Sequence, residues 1–373
     1  MQEGSLFFMP SLKTYRVLGL SSDSSLEGLT ASVIVSDGVD VFELVKNWEF
    51  PFDDDLRENL YFLHNNYSSV EQNRHDFIET QYNDFCLSAI KEILSEDSLI
   101  DLIAFGGHTI NFDTANRKLY QLGDASRIAW ESNITTIGKF EQADILSGGL
   151  GGPISAIYHA CLSQEMPKPI AWVDIDGIST LTYIGQNGEI IAFDCGGGVA
   201  IINDWVYKHA NMLTDYNGKL AISGNVNTDV LNAMLKHKFL LQQPPKVASR
   251  STFCEKCEHL EGLSLQDGTS TATAFIANSI IQAITDFLPE IPKKIIICGK
   301  GVKNPTLMRF LRQKSSNLDI CNEDDCNFNI SVTKAQAFGF LAARRCNLMP
   351  TAYPFISGTN IEVVGGEIYE PKV

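Results

Sequence analysis

Three glycine-rich stretches stand where apolar runs end. The first is Asp194-Cys195-Gly196-Gly197-Gly198, directly after Phe193. Glycines let a backbone approach a phosphate closely, and their N–H groups donate to its oxygens. A carboxylate at such a strand end suits Mg²⁺, usually through water, which places the ion near Asp194. The same residues also suit a plain tight turn. The second stretch, Gly19-Leu20-Ser21-Ser22-Asp23-Ser24-Ser25, offers hydroxyls and turn amides, or an ordinary Ser-rich turn. The third, Ile297 to Pro305, holds Gly299-Lys300-Gly301 and then Pro305 at a helix start. Its glycines would let a flat adenine or ribose lie on the backbone, or would form a loop. Three such strand ends in this order say more than any one of them.

Two further constellations stand out. Asp144 precedes Ser147-Gly148-Gly149-Leu150-Gly151-Gly152-Pro153. A carboxylate at the mouth of a glycine-rich helix start is a candidate general base, or a cap. Cys254 and Cys257 form a CxxC pair with His259 close by, and Cys321 and Cys326 follow much later. Four thiolates would bind zinc. The second pair is poorly spaced and no redox-type βαβ pattern surrounds the first, so no firm metal site is expected.

Alternating elements must position these groups. Tyr15–Leu20, Ala31–Val35, Asp101–Phe105 and Ile134–Ile137 read as strands, with a helical pattern over 54–94. A helix is expected from near Pro153, with Pro in its first turn. Pro169–Ile175, Thr180–Ile184 and Glu189–Phe193 read as three successive strands, with Asn187-Gly188 as a hairpin turn. Ser270–Phe287 and Lys334–Arg345 read as helices, Lys294–Cys298 as a buried strand and Ile361–Val364 as a short one. Each half repeats the same texture, which predicts two related α/β domains with a cleft between them.

The 373 residues suit two such domains. The formal net charge of −16 argues against non-specific nucleic-acid binding and against docking on anionic membranes. No stretch of about 18 apolar residues occurs, so no membrane span is expected. Nine scattered cysteines and an N-terminus unlike a signal peptide predict a reduced, cytoplasmic setting.

In order along the chain, these segments resemble the anhydro-N-acetylmuramic acid kinases. Gln121-Leu122-Gly123-Asp124 resembles the family's QIGD, and Asp144 with Gly148–Pro153 its D…GGQGAP. Phe193–Gly198 resembles FDTGPG, and Pro244-Pro245-Lys246 with Ser249-Arg250 resembles PPKSTGR. Cys298-Gly299-Lys300-Gly301, continuing through Asn304 to Met308, is similar to CGGGxxNPxLM. Pro350-Thr351 with Ser357-Gly358 resembles PTSxPxxTG. The resemblance runs from about Tyr15 to the C-terminus.

It implies the two-domain actin, Hsp70 and sugar-kinase (ribonuclease H-like) α/β fold with an interdomain cleft. It implies a unit over 1–132, a second over 133–345, and a segment 346–373 packing back on the first. The implied activity is ATP-dependent: water opens a 1,6-anhydro bridge and O6 takes the γ-phosphate, with Mg²⁺ offsetting charge. Asp144 would be the base. Ser22, Asp23, Ser24, Ser25, Leu26, Glu27 and Gly28, with Asp194 and Gly196–Gly198, would hold the phosphates. Gly299, Lys300, Gly301 and Asn304 would flank the adenosine, and His108, Gly148, Gly149 and Gly151 the amino sugar. A homodimer is also implied. Several polar positions differ. Asp23 stands for a glycine of SGTSLDG, Asp174-Ile175-Asp176-Gly177 for NIGG, and Glu141-Gln142-Ala143 for an arginine-rich stretch. A carboxylate beside a phosphate repels it by roughly 1–4 kcal/mol at intermediate screening. A non-catalytic binding protein on the same scaffold, or an ATPase module without a sugar site, are the alternatives.

Overall fold

A computed structural model describes residues 11–372, apart from 115, 315–317, 327, 329, 330, 332 and the side chains of 254–257. Its strands are β1 Tyr15–Ser22, β2 Gly28–Ser36, β3 Val41–Pro51, β4 Leu102–Phe105, β5 His108–Asp113, β6 Lys118–Leu122 and β7 Thr136–Gly138. Then follow β8 Ile170–Ile175, β9 Ile178–Ile184, β10 Ile190–Gly197, β11 Lys294–Cys298, β12 Ile320–Asn322 and β13 Glu367–Tyr369.

The first sheet has the order β13-β7-β4-β1-β2-β3, and the second β10-β9-β8-β11-β12. Setting β13 aside, both have the same plan. The first three strands form an antiparallel meander, the fourth pairs with the first, and the fifth with the fourth, both in parallel. This duplicated plan is the ribonuclease H-like fold of the actin, Hsp70 and sugar-kinase group. β5 and β6 form a separate antiparallel hairpin.

Period-two burial builds the layers. Along β1, Leu18 and Leu20 pack into a core with Leu60, Tyr82 and Ile90 from the helices Asp54–Asn66 and Gln72–Glu96. Val17, on the opposite face, joins a cluster that includes Trp172 of β8, Ile296 of β11 and Phe340 of the helix Lys334–Cys346. That cluster ties the two sheets together. A third core surrounds the helix Leu265–Phe287 against the other face of the second sheet.

Several expectations change. The helical pattern over 54–94 is two helices, because the chain turns at residues 67–71. The helix expected from Pro153 begins at Ala156 instead. Residues 361–364 form no strand. Val363 makes only an isolated bridge with Ala352, and the last strand is β13. β7 belongs to the first sheet, which therefore extends beyond residue 132. The helix Lys334–Cys346 packs on β1, β2 and β4, so it covers the first sheet although it follows the second in the chain. β13 pairs with β7, so the C-terminal segment returns to the first sheet.

The central parallel pairs, β1 with β4 and β8 with β11, end together at turns that begin with Asp23, Gly106, Asp176 and Gly299. Gly19 shows how closely the helix lies on β1. A Cβ there would collide with the carbonyl oxygen of Ala335 and lie 3.2 Å from the Gly339 nitrogen. Backbone cannot yield as a side chain tip can, so Gly19→Ala is expected to cost about 1–3 kcal/mol of stability. A urea midpoint unchanged by that substitution would contradict the close packing.

Candidate functional site

The repeated plan identifies corresponding turns. The β1–β2 turn carries Asp23 to Glu27, and its counterpart in the second sheet is the β8–β9 turn, Asp176-Gly177. These two turns meet across the cleft. The Gly177 N–H donates to Asp23 Oδ1 at 3.2 Å, as does the Ser25 N–H at 2.7 Å. A Cβ on Gly177 would lie 2.7 Å from the Ser25 nitrogen, so only glycine allows this approach. Leu26, at φ 62°, turns its side chain into the core and fixes the loop from below. Asn203 donates to the Ser25 carbonyl (3.2 Å) and to Glu27 (3.0 Å), and Arg250 bonds the Ser24 carbonyl and Asp204. Ser22 closes β1, and Gly28 opens β2.

Charged groups fill the space between the turns. Lys300 Nζ lies 2.6 Å from Asp23 Oδ2 and 2.6 Å from Ser25 Oγ. The Lys300 backbone N–H donates to Asp176 Oδ1 (3.1 Å), and Lys334 Nζ approaches Asp176 Oδ2 at 3.7 Å. Burial would push the Asp23 carboxyl up, but Lys300 and Lys334 overcome this and hold it well below the usual range. Burial likewise opposes the charge on both lysines, and the surrounding carboxylates outweigh it. Asp174, behind Gly299, is pushed upward by burial and by Asp176.

Two cavities flank this cluster, and Ser21, Asp23 and Lys334 line both. One, of about 420 Å³, adjoins Gly299, Lys300 and Lys303. The other, of about 180 Å³, is bounded by Gly107, Thr109, Glu141, Gly151, Asp194 and Arg250.

The remaining expected residues fall as follows. Asp194 faces the smaller cavity, with its oxygens taken by Thr180 Oγ1 (2.8 Å) and the Ala248 N–H (2.7 Å). Gly196 and Gly197 are paired inside β10, against Ser279 and Ile201, and the Gly198 N–H donates to the Gly177 carbonyl at 3.2 Å. Their smallness thus admits packing neighbours and the β8–β9 turn. Gly299 has φ 78° and opens the turn that carries Lys300, and Gly301 packs on Ile175. Asn304 Oδ1 accepts from the Thr306 and Leu307 N–H groups at 3.1 Å, capping the helix Pro305–Lys314. His108 is wholly buried, and reaches the cavity only through Ser22 Oγ, 2.8 Å from its Nδ1. His64 Nε2 lies 3.0 Å from its other nitrogen, and burial lowers the His108 pKa to about 4, so the ring is neutral at pH 7.

Asp144 lies on the short helix Gln142–Leu146. The Gly151 N–H and the Ser357 hydroxyl each donate to it at 2.5 Å. Gly149 must lack a side chain, because its Cβ would meet this carboxylate, while Gly148, at φ 94°, makes the bend. Asp144 faces a small adjoining cavity that it shares with Glu141, Gly151 and Ser357.

Sequence reasoning overlooked Glu141, Asp176 and Lys334 as site residues. Glu141 lines both the smaller cavity and the one beside Asp144. Its Oε2 is sealed from solvent and has no hydrogen-bond partner among the described residues. Burial pushes its pKa up to about 7. The Cys254 and Cys257 side chains lie outside the described residues. Cys321 Sγ and Cys326 Sγ are 3.7 Å apart, and no cluster of metal-ligating residues occurs among the described residues. None of their helices is long and apolar enough to cross a membrane.

Because the raised Glu141 pKa means that the folded state holds this proton more tightly, its stabilising contribution is present below about pH 4.5 and is lost as pH rises through about 7. Glu141→Gln mimics the protonated form. It is expected to be more stable than the unaltered protein at pH 8, by about 1–3 kcal/mol, with the difference vanishing near pH 4. Thermal unfolding of both proteins at the two pH values checks this, and a pH-independent difference would contradict it.

The profile of the anhydro-N-acetylmuramic acid kinase family matches residues 15–371. The chain is 30% identical over 359 residues to an anhydro-N-acetylmuramic acid kinase from Paramagnetospirillum magneticum, covering 95% of this chain and 99% of the relative. It is 35% identical over 274 residues to one from Rhodopseudomonas palustris strain BisB18 (73% and 74% covered), and 34% over 288 residues to one from Zymomonas mobilis (76% and 78%). With the duplicated fold and near full-length matches together, the chain belongs to the anhydro-N-acetylmuramic acid kinase family.

Proposed function

We propose that the chain phosphorylates an anhydro amino sugar at the expense of ATP, opening its 1,6-anhydro bridge and delivering the phosphoryl group to O6. This would serve the recycling of cell-wall amino sugars. The observation that carries the reading is the meeting of the two equivalent turns, Asp23–Glu27 and Asp176-Gly177, at the ends of paired sheets and between two cavities. A polyphosphate between those turns would reach both chambers. The larger suits the nucleoside, beside Gly299, and the smaller suits the sugar, beside Asp194, Gly151 and Glu141.

ATP supplies the phosphoryl group and Mg²⁺ offsets its charge. The carboxylate of Asp176 is a hard oxygen donor of the kind that suits Mg²⁺. It lines the larger cavity beside Lys300 and is the residue that would hold the ion. Asp144 is the base that takes a proton from the attacking water. Its two short hydrogen bonds orient the carboxylate, and the Gly148–Gly151 bend brings the backbone close to the sugar pocket. Glu141 stands nearer the pocket and lines both it and the cavity beside Asp144. The buried His64–His108 pair orients Ser22 at the floor of the first turn.

Incubation with Mg-ATP and 1,6-anhydro-N-acetylmuramic acid is expected to release ADP in step with sugar phosphate. Asp144→Asn should lower kcat by on the order of 10²–10⁴, the usual contribution of a general base, with an unchanged circular dichroism spectrum. ADP release indifferent to the sugar would sink the assignment.

A further inference from the structure

Four departures from the family's signature segments, the outermost separated by 277 positions in sequence, meet in one place. Asp23 stands for a glycine in the first turn, Asp174 and Asp176 for the Asn and a Gly of NIGG, and Lys300 for the middle glycine of CGGG. A lone charge in this buried space would be costly. Here the negative and positive changes pair: Lys300 with Asp23 at 2.6 Å, and Asp176 with the Lys300 N–H and with Lys334. The pair also spans the cleft, since Asp23 comes from the first unit and Lys300 from the second.

We propose that Asp23 and Lys300 are a matched resident pair of the nucleotide site: Lys300 is the cation that contacts the phosphate chain, and Asp23 is the carboxylate that holds it until phosphate displaces it. The inference rests on the proposed use of a nucleotide. Lys300 Nζ already bridges the first turn through Asp23 and Ser25, between the two turns where a phosphate chain would lie. A phosphate oxygen arriving there meets an ammonium held by Asp23 and Ser25. The entering anion must exchange with Asp23, so the pair lowers affinity for phosphate while keeping the empty cleft closed. Asp23, once released, faces the phosphates as a carboxylate that repels them, so its removal relieves both the competition for Lys300 and the repulsion.

Calorimetry with Mg-ATP and with magnesium inorganic triphosphate tests this on the full chain and on Asp23→Gly, Asp23→Asn, Lys300→Gly and the double Asp23→Gly/Lys300→Gly variant. Both Asp23 variants are expected to bind on the order of tenfold more tightly than the unaltered protein. Asp23→Asn keeps an acceptor for the Ser25 and Gly177 N–H groups, so it separates charge from loop folding. Lys300→Gly is expected to bind at least about tenfold more weakly, because it leaves Asp23 facing the phosphates unpaired, and the double variant should fall between the single ones. Asp23 variants that bind no more tightly, a Lys300→Gly variant that binds as well as the unaltered protein, or no binding by any of them would overturn the pairing. If the order of affinities appears but no anhydrosugar is phosphorylated, the pairing stands and the sugar assignment falls. If the sugar is phosphorylated and the order fails, only the pairing falls.

Discussion

The direct contact between the β1–β2 and β8–β9 turns is the constraint on which the rest of the site depends. It exists because Gly177 has no side chain, which lets Ser24 and Ser25 sit against its backbone. Once the turns touch, the groups they carry lose water, and every charge among them must find a partner or be neutralised. Asp23 finds two N–H groups and Lys300, and Asp176 finds the Lys300 N–H and Lys334. The lysines come from elements that the fold delivers to the same spot: the turn after β11, and the first residue of the helix laid across the first sheet. Packing geometry and charge placement are therefore one problem, solved together.

Within the same cleft, environment separates groups of the same chemical type. Asp23 stays ionised beside lysines, whereas Asp174 and Glu141 are pushed toward the protonated form by burial. Asp144 lies between these cases: burial raises it, and two hydrogen bonds to its carboxylate pull it back. The buried imidazoles are neutral for the same reason that burial pushes Asp174 and Glu141 toward the protonated form, since low dielectric disfavours whichever form carries charge. A ring kept neutral retains a lone pair, so His108 and His64 serve as fixed hydrogen-bonding partners that aim Ser22 rather than as cations.

The sheets were legible in the sequence because their central strands are apolar runs bounded by glycine turns. β1, β2, β4 and β8 to β11 all read this way. β3 did not, since Val41–Pro51 is an edge strand with no buried residue and carries Glu43, Lys46, Asn47 and Glu49. The β5–β6 hairpin is likewise short and polar. At the site, the glycine run at Gly196–Gly198 drew attention by composition, yet its residues are paired or packed, and the β8–β9 turn that meets Asp23 is only two residues long. Nothing local distinguishes Asp176-Gly177 from any hairpin. Its position became apparent only when the two sheets showed the same strand order. Lys334 and Glu141 were hidden for a similar reason: a lysine at a helix start and a glutamate before one read as ordinary surface charges until tertiary packing seals them.

The acidity of the chain raises a last question, because a net charge of −16 should repel a nucleotide. Distance decides it. Exposed charges farther off than about 10 Å are largely screened at ordinary ionic strength, whereas buried neighbours are not. What a phosphate meets in the cleft is the local set, Lys300, Lys334, Asp23 and Asp176, which is close to neutral as it stands. Moving either ammonium from a carboxylate to a phosphate changes partners without creating a bare charge, provided that a divalent ion carried with the phosphates offsets the freed carboxylate. An acidic protein can thus accept a polyanion where its own ion pairs have been desolvated and can be exchanged.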